Sequence, residues 1–255
     1  MIKIEKFGLT FYQSCLLTPY KNLKHAFFTK KGGFSNPPFE GLNLGVHTDD
    51  CKTCLEANLN AVKKCLGFED IYFLKQVHDD KCIVIKSTHC NYHEGFDAQM
   101  TNISNIGLLV SHADCQPAIF FDPRNNCVAT IHCGWRGSKK NIYEKTIRKM
   151  QLVFGSKPCE LLVAIGPSLG PIHANFINYK NELPPNFFPF KKDEHLFDFW
   201  QISKMQLLQA GVREENIDIA EICTYENDEF YSYRRQHDKS RLYGASALVA
   251  GLSSN

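Results

Sequence analysis

Apolar positions along this chain follow two periods. Leu55, Leu59, Val62 and Leu66 recur at spacings of four, three and four, the repeat of one helix face, and Gly67 follows where the helix should stop. Tyr143, Ile147, Met150 and Phe154 repeat that spacing and predict a helix following Gly137. Phe197 to Gln209 reads as another helix, closed by Gly211. By contrast, Ile106 to Val110, Ala118 to Phe121, Cys127 to Ile131 and Leu161 to Ile165 are short apolar runs of strand length. Asp122-Pro123-Arg124-Asn125-Asn126 supplies hairpin-turn residues between two of them, and Gly166-Pro167 ends the last. Ile71 to Leu74 and Cys82 to Ile85 read as a strand pair, and Ile217 to Ile222 as a final strand. Lys30 to Pro38, with Gly32-Gly33 and Pro37-Pro38, is a loop, and the Phe- and Pro-rich stretch from Asn181 to Pro189 is predicted irregular.

This interleaving, without internal repeats, predicts a mixed α/β fold, an α+β sandwich with one continuous core. A chain of 255 residues that is 44% hydrophobic can build that core as one domain over residues 1–255. With 29 basic and 27 acidic residues, no strong field of one sign favours nucleic acid or a charged membrane surface. The first six residues lack the apolar core of a signal peptide, and no apolar run is long enough to cross a bilayer. Eleven cysteines, an odd number at irregular spacing, read as free thiols in a reducing cytoplasm. Cys51 and Cys54 form a lone CxxC at the start of a helix, outside a thioredoxin-like setting.

The chemistry concentrates in Val110-Ser111-His112-Ala113-Asp114-Cys115-Gln116-Pro117 and Thr130-Ile131-His132-Cys133-Gly134-Trp135-Arg136-Gly137, with His78 upstream. His78, Cys115 and His132 could bind zinc and leave a fourth position for water or substrate. They could equally be two hydrogen-bonded core histidines and an inert thiol. Cys115 and His132 could also pair as nucleophile and base. In an extended strand His132 and Cys133 point to opposite faces, so only one of them faces a given site, and a break near Pro117 frees Asp114 and Cys115 from the same rule. Copper chemistry also uses two His and one Cys. However, no His-x-His pair exists and none of the four methionines lies near these residues, so a copper oxidase is disfavoured. Gly134 to Lys140 leads into a predicted helix, where backbone N–H groups and the Arg136 fork suit an anion. Lys30 to Ser35 is a candidate second anion contact.

Further motifs extend the pattern: Phe27-Phe28-Thr29 with Gly32-Gly33-Phe34-Ser35, Leu42-Asn43-Leu44-Gly45, Gln76-Val77-His78, Phe96-Asp97-Ala98, Ile165-Gly166-Pro167, Cys223-Thr224 and Phe230 to Arg235. With the two central motifs they resemble, almost end to end, the laccase-domain family, also described as multicopper polyphenol oxidase-like proteins and peptidoglycan editing factor. That resemblance implies a fold related to bacterial cytotoxic deamidases, which use a Cys–His pair. It implies Zn2+ held by His78, Cys115 and His132. It further implies phosphorolysis of adenosine, inosine, guanosine and methylthioadenosine to base and pentose 1-phosphate, with adenosine deamination as a second activity. For these reactions Arg136, Lys30 and Ser35 are candidate phosphate or substrate contacts, and Asp114 is the candidate proton shuttle. A Cys115-based amidohydrolase or peptidoglycan-precursor editing enzyme is the alternative. The chain departs from the family at Lys30, where arginine is usual, at His173-Ala174-Asn175-Phe176, and at Lys239-Ser240-Arg241-Leu242.

Overall fold

A computed structural model describes residues 1–87, 89–237 and 244–254. In chain order the strands are Ile2–Lys6 (β1), Leu9–Gln13 (β2), Leu23–Phe28 (β3), Asp70–Lys75 (β4), Cys82–Val84 (β5), Tyr92–Glu94 (β6), Ala98–Thr101 (β7), Ile106–His112 (β8), Gln116–Asp122 (β9), Cys127–Cys133 (β10), Leu162–Ile165 (β11), Ile217–Ile219 (β12) and Ser246–Leu252 (β13). They form two mixed sheets, ordered β1-β2-β3-β13-β8-β4-β6 and β12-β11-β9-β10-β7-β5.

Strand parity sorts the apolar side chains into layers. In β8, Leu108 and Val110 face the second sheet, where Ile119 and Phe121 of β9 meet them. Leu109, between them in sequence, points the other way, onto Val62, Cys65 and Leu66. Phe120 of β9 likewise turns outward, to Tyr143, Ile147 and Met150. The helices Lys52–Leu66 (α1), Ile142–Phe154 (α3) and Phe199–Gln209 (α5) therefore cover the outer faces of the sandwich. The apolar residues form layers on either side of each sheet rather than one continuous core. Each fully buried Phe or Leu contributes about 1.5–3 kcal/mol.

The predicted stop of α1 holds, whereas α5 begins at Phe199 rather than Phe197, capped by Asp198. Gly67 takes φ 78°, and its N–H donates to Lys63 O, closing α1. Asn141 caps α3 by accepting from Glu144 N, and Gly155 ends it at φ 72°. The helix expected after Gly137 is divided: a short helix Trp135–Lys139 (α2) already contains Gly137, and α3 begins at Ile142. The segment expected to be irregular overlaps the end of a four-residue helix, Tyr179–Glu182 (α4), and most of a 3-10 turn, Pro185–Phe190. A further helix spans Tyr233–His237 (α6). The predicted pair Ile71 to Leu74 with Cys82 to Ile85 is not formed. β4 runs parallel to β8 and β6 in the first sheet, and β5 runs parallel to β7 in the second. All eleven cysteines are unpaired. Among the described residues, no helix is long and apolar enough to cross a membrane. The departure at 239–242 lies outside the described residues.

Candidate metal centre

The chain passes from the first sheet to the second between His112, the end of β8, and Gln116, the start of β9. Asp114 makes this crossing at φ 85°, a left-handed conformation unusual outside glycine, asparagine and aspartate. Cys115 is thereby delivered to the seam between the sheets. His132 reaches the same seam from β10, where it lies opposite Pro117 of β9. His78 follows β4 in a loop and takes φ 57°. The three ligand atoms lie within 4.8 Å of one another, and the two imidazole rings meet edge to face at 89°.

Asp97, fully buried just ahead of β7, organises this cluster. Its Oδ1 accepts from His78 N at 2.9 Å and faces His132 Nδ1 at 2.9 Å. Its Oδ2 accepts from Val77 N at 3.1 Å and Asp79 N at 2.8 Å. In the sequence Asp97 stands in the Phe96-Asp97-Ala98 motif with nothing beside it to mark a role. Burial opposes its charge, yet the hydrogen bond from His132 and those from the loop hold its carboxyl below the usual carboxylate range. Gln76 braces the same loop, donating to Ser111 O at 2.8 Å and accepting from Ser111 N at 2.9 Å.

Burial also opposes a thiolate at Cys115, but the adjacent His132 charge and hydrogen bonds from both histidines bring it down to about 6. His132, despite its burial, is raised to about 9 by the Cys115 sulfur and Asp97. The donor set thus favours thiolate, the form a metal takes. With Nδ1 committed to Asp97, His132 offers Nε2 to a metal, the usual carboxylate–histidine arrangement. Gly134 leaves the required room: a Cβ there would stand 2.9 Å from Cys115 Sγ and 3.1 Å from His78 Cδ2. Cys133 packs into the outer apolar layer, and burial pushes its thiol well up. The parity expected for His132 and Cys133 is therefore observed. His112 is buried, with both ring nitrogens lacking a hydrogen-bond partner, and burial lowers it to about 3.

The cluster opens into a cavity of about 730 Å³, within the roughly 300–1,000 Å³ range of small-molecule sites. Trp135, Phe176 and Phe199 supply aromatic wall, with Phe176 and Phe199 5.1 Å apart. Arg136 lines the cavity too, its guanidinium 4.4 Å from the Trp135 ring centroid. Asp114 also lines it, but its Oδ1 accepts from Thr224 Oγ1 and its Oδ2 from Arg234 N, each at 2.7 Å. Both oxygens are engaged in holding the wall. The structure does not bring Lys30 or Ser35 to the described lining. Lys30 N donates to Glu229 O, and Ser35 Oγ accepts from Asn58 Nδ2. Ala174, Asn175 and Phe176, at a departure from the family pattern, do line it.

Comparison with known proteins agrees with this architecture. A purine nucleoside phosphorylase of Bacteroides thetaiotaomicron is 28% identical over 246 residues, 88% of this chain and 90% of that protein. Purine nucleoside phosphorylase YfiH of Escherichia coli is 31% identical over 226 residues, covering 84% of this chain and 89% of its own length. The structure is similar to YlmD from Geobacillus stearothermophilus, with TM-score 0.86, 26% identity and 98% of each chain covered. The fold also matches a hypothetical protein YfiH of Bacillus licheniformis at TM-score 0.85 and 23% identity, over 98% of each chain. The family model described as multi-copper polyphenol oxidoreductase laccase matches residues 24–252, nearly the whole sequence, and the chain belongs to that family.

Proposed function

We propose that this chain is a zinc-dependent purine nucleoside phosphorylase of the cytoplasm, acting on adenosine, inosine, guanosine and methylthioadenosine, with adenosine deamination as a second activity. The observation that carries the reading is the convergence of His78, Cys115 and His132 at the floor of an aromatic-walled cavity. The names of the relatives support phosphorolysis as the reaction. Two imidazoles and a thiolate are a donor set for zinc rather than for magnesium or calcium. Zinc bound there would supply Lewis-acid polarisation of a substrate or water oxygen.

The remaining work falls to the chain itself. Phosphorolysis needs phosphate held on one side of C1′ and the purine stabilised as it leaves. Arg136 presents its guanidinium at the cavity, over the Trp135 ring, for phosphate. Phe176 and Phe199 offer apolar faces for the base. Asp97 fixes the His132 ring and the His78 loop. Asp114 holds the Arg234 and Thr224 segments in the wall, which fits it to a positioning part better than to the proton shuttling expected from sequence.

Chromatography of adenosine reactions with and without phosphate tests the reading. Adenine formed only with phosphate supports phosphorolysis, and inosine formed without phosphate supports deamination. No turnover of any of these nucleosides by zinc-loaded protein would overturn it. One observation favours a second reading: Cys115, His132 and Asp97 are also arranged as nucleophile, base and orienting carboxylate for acyl chemistry. In that case metal-free protein is active on amide substrates, and alkylation of Cys115 abolishes the activity.

A further inference from the structure

His173, Cys223 and Glu226 lie outside the centre described above, and their ligand atoms also fall within 4.8 Å of one another. Two loops bring them together. Ser168 pairs with Cys223 in a parallel bridge, and Thr224 N donates to Ser168 O. Gly170 N donates to Cys223 Sγ at 3.2 Å, which fixes the sulfur. A Cβ at Gly170 would stand 3.0 Å from Cys223 Cβ and 3.1 Å from its sulfur, so the approach depends on glycine. The His173 ring is stacked on Tyr225 at 4.1 Å and 27°, and its Nε2 lies 3.3 Å from Glu226 Oε1.

We propose that His173, Cys223 and Glu226 form a second metal site, for one exchangeable dication of the zinc class. Two nitrogen or oxygen ligands each about 2 Å from a tetrahedral ion stand roughly 3.3 Å apart, as His173 Nε2 and Glu226 Oε1 already do. A thiolate, a carboxylate and a neutral imidazole carry two negative charges, matched to a dication, and mixed S, N and O donors select zinc over magnesium or calcium. Cys223 is buried and Glu226 is exposed, so the ion enters from solvent and sits against the sulfur. Three protein ligands fall short of the four of a closed structural site, which makes the ion exchangeable. Both loops also shape the main cavity: Leu169, Ala174 and Asn175 line it, and Thr224 holds Asp114. The ion would therefore staple one cavity wall from behind.

The test is cobalt(II) titration in a Cys115→Ser background, which removes the sulfur of the first centre. The readout is thiolate-to-cobalt absorption in the near ultraviolet. One equivalent of cobalt should develop this absorption, and a further Cys223→Ser change should remove it. Glu226→Gln and His173→Gln should each weaken binding by at least about tenfold. Absence of sulfur absorption in the Cys115→Ser protein, or its persistence after Cys223→Ser, overturns the proposal. Thermal unfolding in chelator checks that each variant is folded. A Cys115→Ala background, which also lacks that sulfur, repeats the comparison with and without Cys223 if Cys115→Ser fails that check.

Discussion

Oδ1 of Asp97 lies 2.9 Å from Nδ1 of His132, and the same oxygen accepts the His78 N–H. One buried carboxylate thus sets the ring of one candidate ligand and the backbone of another. Asp97→Asn keeps the size but loses the charge and one acceptor. It should weaken zinc binding about 10–100-fold and cost about 1–3 kcal/mol of stability. Zinc retained against a graded chelator, with a thermal melt, measures both. Unchanged zinc retention would remove Asp97 from the account.

Gly134 separates site geometry from folding. Its φ of −78° and ψ of 174° are open to any residue, yet an added Cβ would press on Cys115 Sγ and His78 Cδ2. Gly134→Ala is expected to lose zinc and activity while overpacking costs only about 1–3 kcal/mol. A normal zinc content in this variant would show that the three donors do not converge on one ion.

Arg136 is exposed, so its removal should leave stability unchanged. A charge-assisted hydrogen bond contributes about 1.5–3 kcal/mol, so Arg136→Ala should raise the KM for phosphate roughly 10–100-fold. Arg136→Lys should recover part of that, because it keeps the charge without the fork. The KM for the nucleoside in saturating phosphate is the control and should move little.

His25 predicts an acid dependence of stability. Burial lowers its pKa from 6.5 to about 4, and Ser14 N–H donates to Nε2 of the neutral ring. Above pH 6.5 folded and unfolded chains are both neutral there, and the stability is fully present. Between 6.5 and about 4 the unfolded chain takes a proton that the folded chain refuses, so stability falls as pH falls. The loss is on the order of 3 kcal/mol. Denaturant midpoints across this range should flatten in His25→Asn relative to the parent. Equal slopes would place the acid sensitivity elsewhere.

Much of this was legible in the sequence where the signal is local. The four-three-four spacing of α1 and the glycine that ends it are properties of one helix face. The β8 to β10 runs have the length of buried strands, and parity alone separated His132 from Cys133. Pairing is not local. The runs at β4 and β5 look alike in sequence, but each finds its neighbour beyond the other, in different sheets. Strands β1 to β3, β6, β7 and β13 have no counterpart among the predicted runs. β1 alternates Ile with charged residues and stays largely exposed, so its apolar content never stands out. Asp97 was missed because a single carboxylate carries no period. Only the fold shows that three loop amides and an imidazole converge on it. Lys30 and Ser35 illustrate the converse: residue types suited to an anion, placed by the chain away from the described cavity.

In the proposed function His78, Cys115 and His132 hold zinc for nucleoside phosphorolysis. The most direct measurement is zinc add-back to chelator-stripped protein while phosphate-dependent release of adenine from adenosine is followed. Activity should be absent after stripping, return as zinc is added, and never return in His78→Ala protein. Full activity in the stripped protein, or zinc rescue of His78→Ala to the parent level, would contradict the account.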